Sequence, residues 1–162
     1  MTALDSVLMN RPDAGQTAPE FAMTADDGSV VSTRSLTGTR HVLMFYPEDD
    51  TAGCTTQACA LRDGWAAVEA TGVPVFGVSP DSRDSHIAFR AKYALPYRLL
   101  TDDDHRAADA FGVWIEKESG GRAYFGNERT TFVIGEDGRI EHVLPGVKAD
   151  AHAAQLIEVL GS

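Results

Sequence analysis

The chain has 162 residues, of which 43% are hydrophobic, so it is long and apolar enough for one compact domain with a sizeable core. No run of about eighteen apolar residues occurs, so no segment is expected to span a membrane. The formal net charge of −10 argues against nucleic acids and anionic membrane surfaces as partners.

The first sixteen residues are small and polar, and we predict that they form a loose lead-in over 1–16, ahead of a single domain over 17–162. This lead-in lacks the basic region and the apolar run of a secretory signal. A cytoplasmic location is the expectation that follows.

Predicted strands begin just after the lead-in. Two short strands, over 21–24 and 29–32, flank the turn signal Asp26-Asp27-Gly28. Nearly continuous apolar runs, typical of strands buried on both faces, lie at 41–46, 73–79 and 130–134. A second turn signal then leads into a last strand over 139–144.

Helices are predicted between these strands. Apolar residues at spacings of four, three, four and three mark one face of a helix over 54–70: Cys54, Ala58, Leu61, Trp65 and Val68. Three more helices are predicted over 83–93, 104–111 and 150–160. Alternating strands and helices predict a mainly parallel sheet, which the two turn-linked strand pairs make mixed. The expected fold is therefore a three-layer α/β domain, with a central mixed sheet flanked by helices.

Only two cysteines occur, five positions apart. In a reducing cytosol such a pair is more often catalytic, metal-binding or simply buried than joined in a permanent disulfide. Cys54 follows the carboxyl end of a buried strand and lies in the first turn of a helix, where the helix dipole stabilises a thiolate. The hydroxyl of Thr51 can donate a hydrogen bond to that thiolate, and Pro47 fixes the direction of the loop that leads to both residues. An inert, buried Cys54 is the alternative.

Three consecutive carboxylates in the same loop, Glu48, Asp49 and Asp50, oppose this interpretation. A carboxylate that turned toward Cys54 would disfavour the thiolate. We therefore expect all three to point to solvent and a cation from elsewhere in the chain to offset them.

The stretch around Cys54 resembles the active-site segment of peroxiredoxins. Pro47, Thr51 and Cys54 reproduce the Pro-x-x-x-Thr-x-x-Cys spacing of that family's peroxide site. The second cysteine, five residues on, is similar to the peroxiredoxin Q subfamily, also called bacterioferritin comigratory proteins. Four further blocks resemble the family in the family's order: 15–21, 77–81, 111–114 and 129–134.

The resemblance implies a thioredoxin-like fold and a thiol-dependent peroxidase that reduces hydrogen peroxide and organic hydroperoxides. It implies that Cys54 is the peroxidatic cysteine, oxidised to a sulfenic acid, and that Cys59 resolves it through an intramolecular disulfide. Pro47 would shield the sulfur, and Thr51 would help to place the peroxide. Arg129, just before a Thr-Thr-Phe strand, matches the family's active-site arginine and would be the missing cation. Thioredoxin or a similar thiol reductant is the implied partner, and the subfamily favours a monomer.

Other chemistries find less support. The five histidines are scattered, and the two cysteines offer one widely spaced pair, so neither a metal nor a cofactor is expected. A Cys-x-x-Cys motif is absent, which disfavours a disulfide-exchange protein. A non-enzymatic redox-sensing or interaction module, with the pair Cys54 and Cys59 as its switch, remains the alternative to a peroxidase.

The helical spacing of the two cysteines makes a conformational prediction. Residues five apart on an α-helix lie about 8.6 Å apart between Cα atoms, on opposite sides of the helix. A disulfide requires Cα atoms within about 7 Å. We therefore expect the helix to unwind before Cys59 can bond to Cys54.

Overall fold

The computed structural model describes residues 11–161, so most of the predicted lead-in lies outside the described residues. The part that is described follows the last strand of the sheet. The amide of Gly15 donates to the carbonyl of Ile140 at 2.7 Å, and the amide of Ile140 donates to Gln16 at 2.8 Å. Thr17 then forms an isolated antiparallel bridge with Arg139. The division at residue 17 stays a prediction.

Nine strands lie within the described range: β1 (Ala22–Ala25), β2 (Val30–Ser32), β3 (His41–Phe45), β4 (Val75–Ser79), β5 (Arg98–Thr101), β6 (Trp114–Ser119), β7 (Arg122–Asn127), β8 (Thr130–Ile134) and β9 (Ile140–Leu144). Five helices accompany them: α1 (Ala52–Asp63), α2 (Trp65–Glu69), α3 (Arg83–Tyr93), α4 (Arg106–Ala110) and α5 (His152–Leu160). Seven strands form one sheet in the order β2-β1-β5-β4-β3-β8-β9, and β6 pairs with β7 in a separate hairpin.

The central sheet is mixed, as predicted, but it is not mainly parallel. Only β3–β4 and β4–β5 are parallel pairs, whereas the other four pairs are antiparallel. The hairpin of β6 and β7 explains the difference, because it returns the chain to the carboxyl end of β3 without a helical crossover. Thr130 therefore enters the sheet opposite Phe45, and β8 runs antiparallel to β3.

Both faces of the sheet are covered, which gives the three layers. Every residue of β3, β4 and β8 is buried, as their continuous apolar runs predict. Phe45, Phe111 and Phe132 pack on one face, with ring centroids 4.9–5.9 Å apart. Met44 and Leu61 belong to the core on the other face, beneath α1. Each such side chain contributes roughly 1.5–3 kcal/mol of burial, so the sheet is a firm base for the loop after β3.

The predicted helix over 54–70 is in fact two helices, separated at Gly64. An added Cβ at Gly64 would lie 3.2 Å from Cδ1 of Ile157 on α5, so a glycine lets the chain pass close to that helix. The first helix begins two residues earlier than predicted, with Thr51 as its extended N-cap residue. Cys54 is consequently the third residue of α1.

Candidate active site

Cys54 is placed by two elements, the end of β3 and the first turn of α1. Its side chain is only 3% exposed and belongs to the core between the sheet and α1. The first backbone N–H groups of an α-helix have no acceptor within the helix, and they carry the positive end of its dipole. The sulfur therefore lies where a negative charge is stabilised, although it is largely shielded from water.

Arg129 supplies a cation at this sulfur. Its Nη1 atom donates to Sγ of Cys54 at 3.4 Å and to Oε1 of Gln57 at 2.6 Å. Gln57 is buried one turn after Cys54 and so holds the guanidinium over the same face of α1. Gly53 leaves room for it, because an added Cβ there would lie 3.0 Å from Nη2 of Arg129.

Thr51 and Pro47 precede Cys54 in the loop before α1, and neither is hydrogen-bonded to the sulfur in this state. The hydroxyl of Thr51 donates to the carbonyl of Glu48 at 3.0 Å and makes no capping bond to the helix. Both residues line an open groove, which we call the hairpin groove because Trp114, Lys117 and other residues of β6 and β7 form its far wall. A ligand in this groove would meet Thr51 and Pro47 in the loop that leads to Cys54.

The three loop carboxylates do not share one environment, and the expectation that all point to solvent was wrong for Asp49. Glu48 and Asp50 are exposed, but Asp49 is only 8% exposed. Its carboxylate accepts from the hydroxyl of Tyr46, from Ser85 at 2.9 Å and from Nδ1 of His86 at 2.7 Å. The carboxyl end of β3 and the first turn of α3 converge here, so the middle residue of the loop is drawn inward.

Asp50 is held from the surface instead. Its carboxylate accepts from Nζ of Lys92 and from the hydroxyl of Tyr93, both at 2.8 Å. Hydrogen bonds from Lys92 and then Tyr93 lower the pKa of Asp50. These contacts direct its charge toward α3 and away from Cys54.

Asp49, Asp81 and His86 could together hold a metal ion, because one ligand atom of each lies within 4.8 Å of the others. All three atoms already have protein partners. Oδ2 of Asp81 accepts from Ser79 and from the amide of Asp49, and Oδ2 of Asp49 accepts from His86. Nothing in their spacing of 49, 81 and 86 marks them as a set in the sequence. The hydrogen bonds give the cluster a structural role, which is to fasten the active-site loop to α3.

Cys59 lies on α1 with Cys54, and both thiols are free. It is half-buried and lies within electrostatic range of Arg62 and Tyr97. Because α1 is continuous from Ala52 to Asp63, the helical separation of about 8.6 Å applies. The structure thus places Arg129 against the sulfur of Cys54, whereas it keeps Cys59 too far from Cys54 to form a disulfide.

Two candidate active-site residues, Gln57 and Lys117, were not predicted from the sequence. Gln57 stands three residues after Cys54, on the same helix face, and that spacing could have identified it. Lys117 could not be identified, because the hairpin that carries it was not predicted. Its Nζ atom donates to the carbonyl of Asn127, whose side chain donates to Tyr46 at 3.1 Å.

Within the described range, no helix is long and apolar enough to cross a membrane.

Known proteins resemble this chain over most of its length. Residues 14–143 match the model of the AhpC/TSA family. The chain is 44% identical over 145 residues to the putative peroxiredoxin bcp of Coxiella burnetii, with 90% of this chain and 96% of that protein covered. It is 40% identical over 148 residues to peroxiredoxin Bcp of Bacillus subtilis, with 91% and 94% covered.

Solved structures show the same relationship. A bacterioferritin comigratory protein of Xanthomonas campestris, studied for its alkyl peroxide reduction activity, superposes with a TM-score of 0.84 at 30% identity, covering 92% of this chain and 98% of that one. A cysteine-to-serine mutant of PrxQ from Xylella fastidiosa gives a TM-score of 0.85 at 29% identity, with 93% and 96% covered.

Proposed function

The chain belongs to the AhpC/TSA family and, within it, to the Bcp/PrxQ peroxiredoxins, which are thiol peroxidases; from this premise we propose that Cys54 is the residue through which it reduces hydrogen peroxide and organic hydroperoxides. The observation that carries the proposal is the 3.4 Å contact between Arg129 and Sγ of Cys54 at the start of α1. A buried sulfur beside an arginine and a helix N-terminus suits a thiolate nucleophile. The alkyl peroxide reduction activity of the Xanthomonas relative supports organic hydroperoxides as substrates.

In the first step the thiolate of Cys54 attacks the terminal oxygen of the peroxide. An S–O bond forms, the O–O bond breaks, and the bonding pair leaves on the second oxygen, so that sulfur is oxidised to a sulfenic acid. Full ionisation of an ordinary thiol would add a factor of only about thirty at neutral pH. Most of the acceleration must therefore come from stabilising the leaving oxygen, and we assign that task to Arg129 and Thr51, with Pro47 shielding the sulfur.

In the second step Cys59 attacks the sulfenic acid of Cys54. A disulfide forms and water leaves, after which a thioredoxin-type reductant supplies two electrons to restore both thiols. The step requires α1 to unwind, since a folded helix keeps the Cα atoms about 8.6 Å apart. In this scheme the enzyme acts as a monomer in the cytoplasm, with its catalytic residues on the domain over 17–162.

The scheme needs neither a metal nor a cofactor, because sulfur is both the nucleophile and the carrier of electrons. Exhaustive chelation should leave the rate of peroxide reduction unchanged. A strict metal requirement would contradict the mechanism and would direct attention to Asp49, Asp81 and His86.

The decisive experiment measures peroxide consumption with thioredoxin, thioredoxin reductase and NADPH present. The wild-type chain should turn over many equivalents, and Cys54→Ser should consume none. Cys59→Ser should consume about one equivalent per chain and then stop. If the chain is a redox-sensing module instead, the wild-type protein should consume about one equivalent of peroxide and should not be recycled by thioredoxin. That result would overturn the peroxidase proposal.

A further inference from the structure

Lys117 is a half-buried cation on β6, and the scheme above does not use it. From β6 its side chain crosses Gly126, where an added Cβ would lie 3.8 Å from Nζ, and it ends on the carbonyl of Asn127. Asn127 is the second residue before Arg129, and its side chain is bonded to the end of β3. The ammonium group is therefore fixed to the segment that leads from the hairpin to Arg129, and the same segment is bonded to the end of β3.

The ammonium group also lines the hairpin groove together with Pro47 and Thr51. Among the described residues, the carbonyl of Asn127 is its one hydrogen-bond acceptor, so two of its three N–H groups can meet a ligand there. Burial lowers the pKa of Lys117, and the charge of Arg129 lowers it further, whereas Cys54 and Glu128 act in the opposite direction. These influences place Lys117 within electrostatic range of both Cys54 and Arg129.

The chemistry of the first step requires a proton at the oxygen that leaves. Hydroxide and alkoxide are strongly basic leaving groups, because water and alcohols are very weak acids. Arg129 can stabilise such a charge but does not release a proton in proteins. The hydroxyl of Thr51 is directed at the carbonyl of Glu48, and that of Tyr46 is held by Asp49.

We propose that Lys117 contacts the leaving oxygen of the peroxide and protonates it. The inference rests on the proposed function, since it assigns a further catalytic residue to the same reaction. The thiolate of Cys54, the hydroperoxide and the ammonium of Lys117 give the sulfenic acid, an alcohol or water, and a neutral amine. The amine then regains its proton from solvent, through the open groove.

The test compares peroxides whose leaving groups differ in basicity. Acetate, the leaving group of peracetic acid, needs no proton at neutral pH, because the pKa of a carboxylic acid is about 4. Lys117→Met removes the acid and keeps a side chain of similar length. We expect the rate of Cys54 oxidation in this variant to fall about 100-fold with hydrogen peroxide and with an alkyl hydroperoxide, the scale of general acid catalysis. With peracetic acid it should change less than about twofold.

Two more variants complete the design. Lys148→Met is the matched control, since Lys148 is exposed and is not one of the residues that line the groove, and it should leave all three rates unchanged. Lys117→Arg keeps the charge but lacks a proton to release, so it should recover little of the lost rate.

An equal loss with all three peroxides, or full recovery by Lys117→Arg, would overturn proton donation by Lys117. A wild-type chain that reduces none of the three peroxides would instead overturn the proposed function, so the two failures are distinguishable. Circular dichroism of Lys117→Met against the wild type checks that the hairpin variant is folded.

Discussion

The hydroxyl of Tyr93, the last residue of α3, donates a 2.8 Å hydrogen bond to Asp50, two residues before α1 begins. The backbone carbonyl of the same Tyr93 accepts from Nη1 of Arg62, near the end of α1, also at 2.8 Å. One residue thus contacts both flanks of the helix that carries the two cysteines. Asp50 itself has a φ of 58°, a left-handed conformation that costs roughly 1–2 kcal/mol outside glycine. The bonds to α3 therefore hold a strained loop in place and oppose the unwinding of α1.

Tyr93→Phe should make α1 unwind more readily. The substitution removes the hydrogen bond to Asp50 but keeps the ring, which packs against Phe89 at 5.5 Å between centroids. Loss of one such bond costs about 1 kcal/mol, so amide exchange over 52–63 in the reduced protein should accelerate about fivefold. Disulfide formation should also be faster, and less over-oxidised Cys54 should be found by mass spectrometry at high peroxide.

Tyr124→Phe is the control for this experiment, because Tyr124 is 46% exposed on β7 and lies across the hairpin groove from Thr51, with no hydrogen bond from its hydroxyl to α1. It should leave the exchange of α1 unchanged. If Tyr93→Phe also leaves exchange unchanged, the contact between Tyr93 and Asp50 does not govern the helix.

Oxidation itself should melt α1 only where Cys59 is present. In the wild-type disulfide, amides over 54–62 should lose protection, because the bonded cysteines cannot stay on a regular helix. Cys59→Ser oxidised with one equivalent of peroxide should keep its protection, and α5 should stay protected in both proteins. A wild-type disulfide whose α1 is as protected as in the reduced form would contradict the unwinding step.

The short-range part of the site could be predicted from the sequence, whereas its long-range part could not. Pro47, Thr51 and Cys54 fall within eight residues, so a buried strand followed by a helix places them together. Arg129 is 75 positions from Cys54, and only the family resemblance pointed to it. For Asp49 the prediction was wrong, because three consecutive acidic residues carry no signal for which one turns inward.

A similar limit applied to the fold. The buried strands β3, β4 and β8 could be predicted from the sequence, because each is a continuous apolar run. By contrast, β7 is exposed over four of its six residues, so no hydrophobic periodicity marks it. Missing this hairpin had two consequences, since it hid Lys117 and it left the antiparallel entry of β8 unforeseen.

Arg129→Ala should slow peroxide reduction by more than its effect on the amount of thiolate. We expect a loss of about 100-fold or more in the rate of Cys54 oxidation, after correction for ionisation, because a preorganised donor to the leaving oxygen is lost. Stopped-flow kinetics gives the rate, and the absorbance of the thiolate against pH gives the correction. Arg122→Ala, at an exposed position on β7, is the control. An unchanged corrected rate would remove Arg129 from the chemical step.

Stability should fall in mild acid because of His152. This residue is fully buried at the start of α5, and burial, followed by the charge of Arg129, lowers the pKa of His152 to about 4. An unfolded histidine titrates near 6.5, so the unfolded state gains a proton first, and the free energy of unfolding decreases as the pH falls from about 6.5 toward 4. The loss from this group amounts to at most about 3 kcal/mol.

Urea unfolding of His152→Gln between about pH 7.5 and pH 4.5 checks this prediction. The variant should show a shallower decrease than the wild type, whatever its stability at neutral pH. Some decrease will remain, because burial also lowers the pKa of His41. Equal slopes for His152→Gln and wild type would contradict the assignment.

The interruption at Gly64 limits how many residues can unwind together with α1. An uninterrupted helix over 54–70 would pass its loss of structure on to Val68, which is fully buried in the core. Because of the break, the segment that unwinds and refolds is the single twelve-residue helix α1. The hydrogen bond from the amide of Gly64 to the carbonyl of Ala60 marks its C-terminal end. In the proposed cycle, oxidation would unfold this one segment and leave the rest of the domain as a template on which it re-forms, so repeated cycling would keep the remaining core covered.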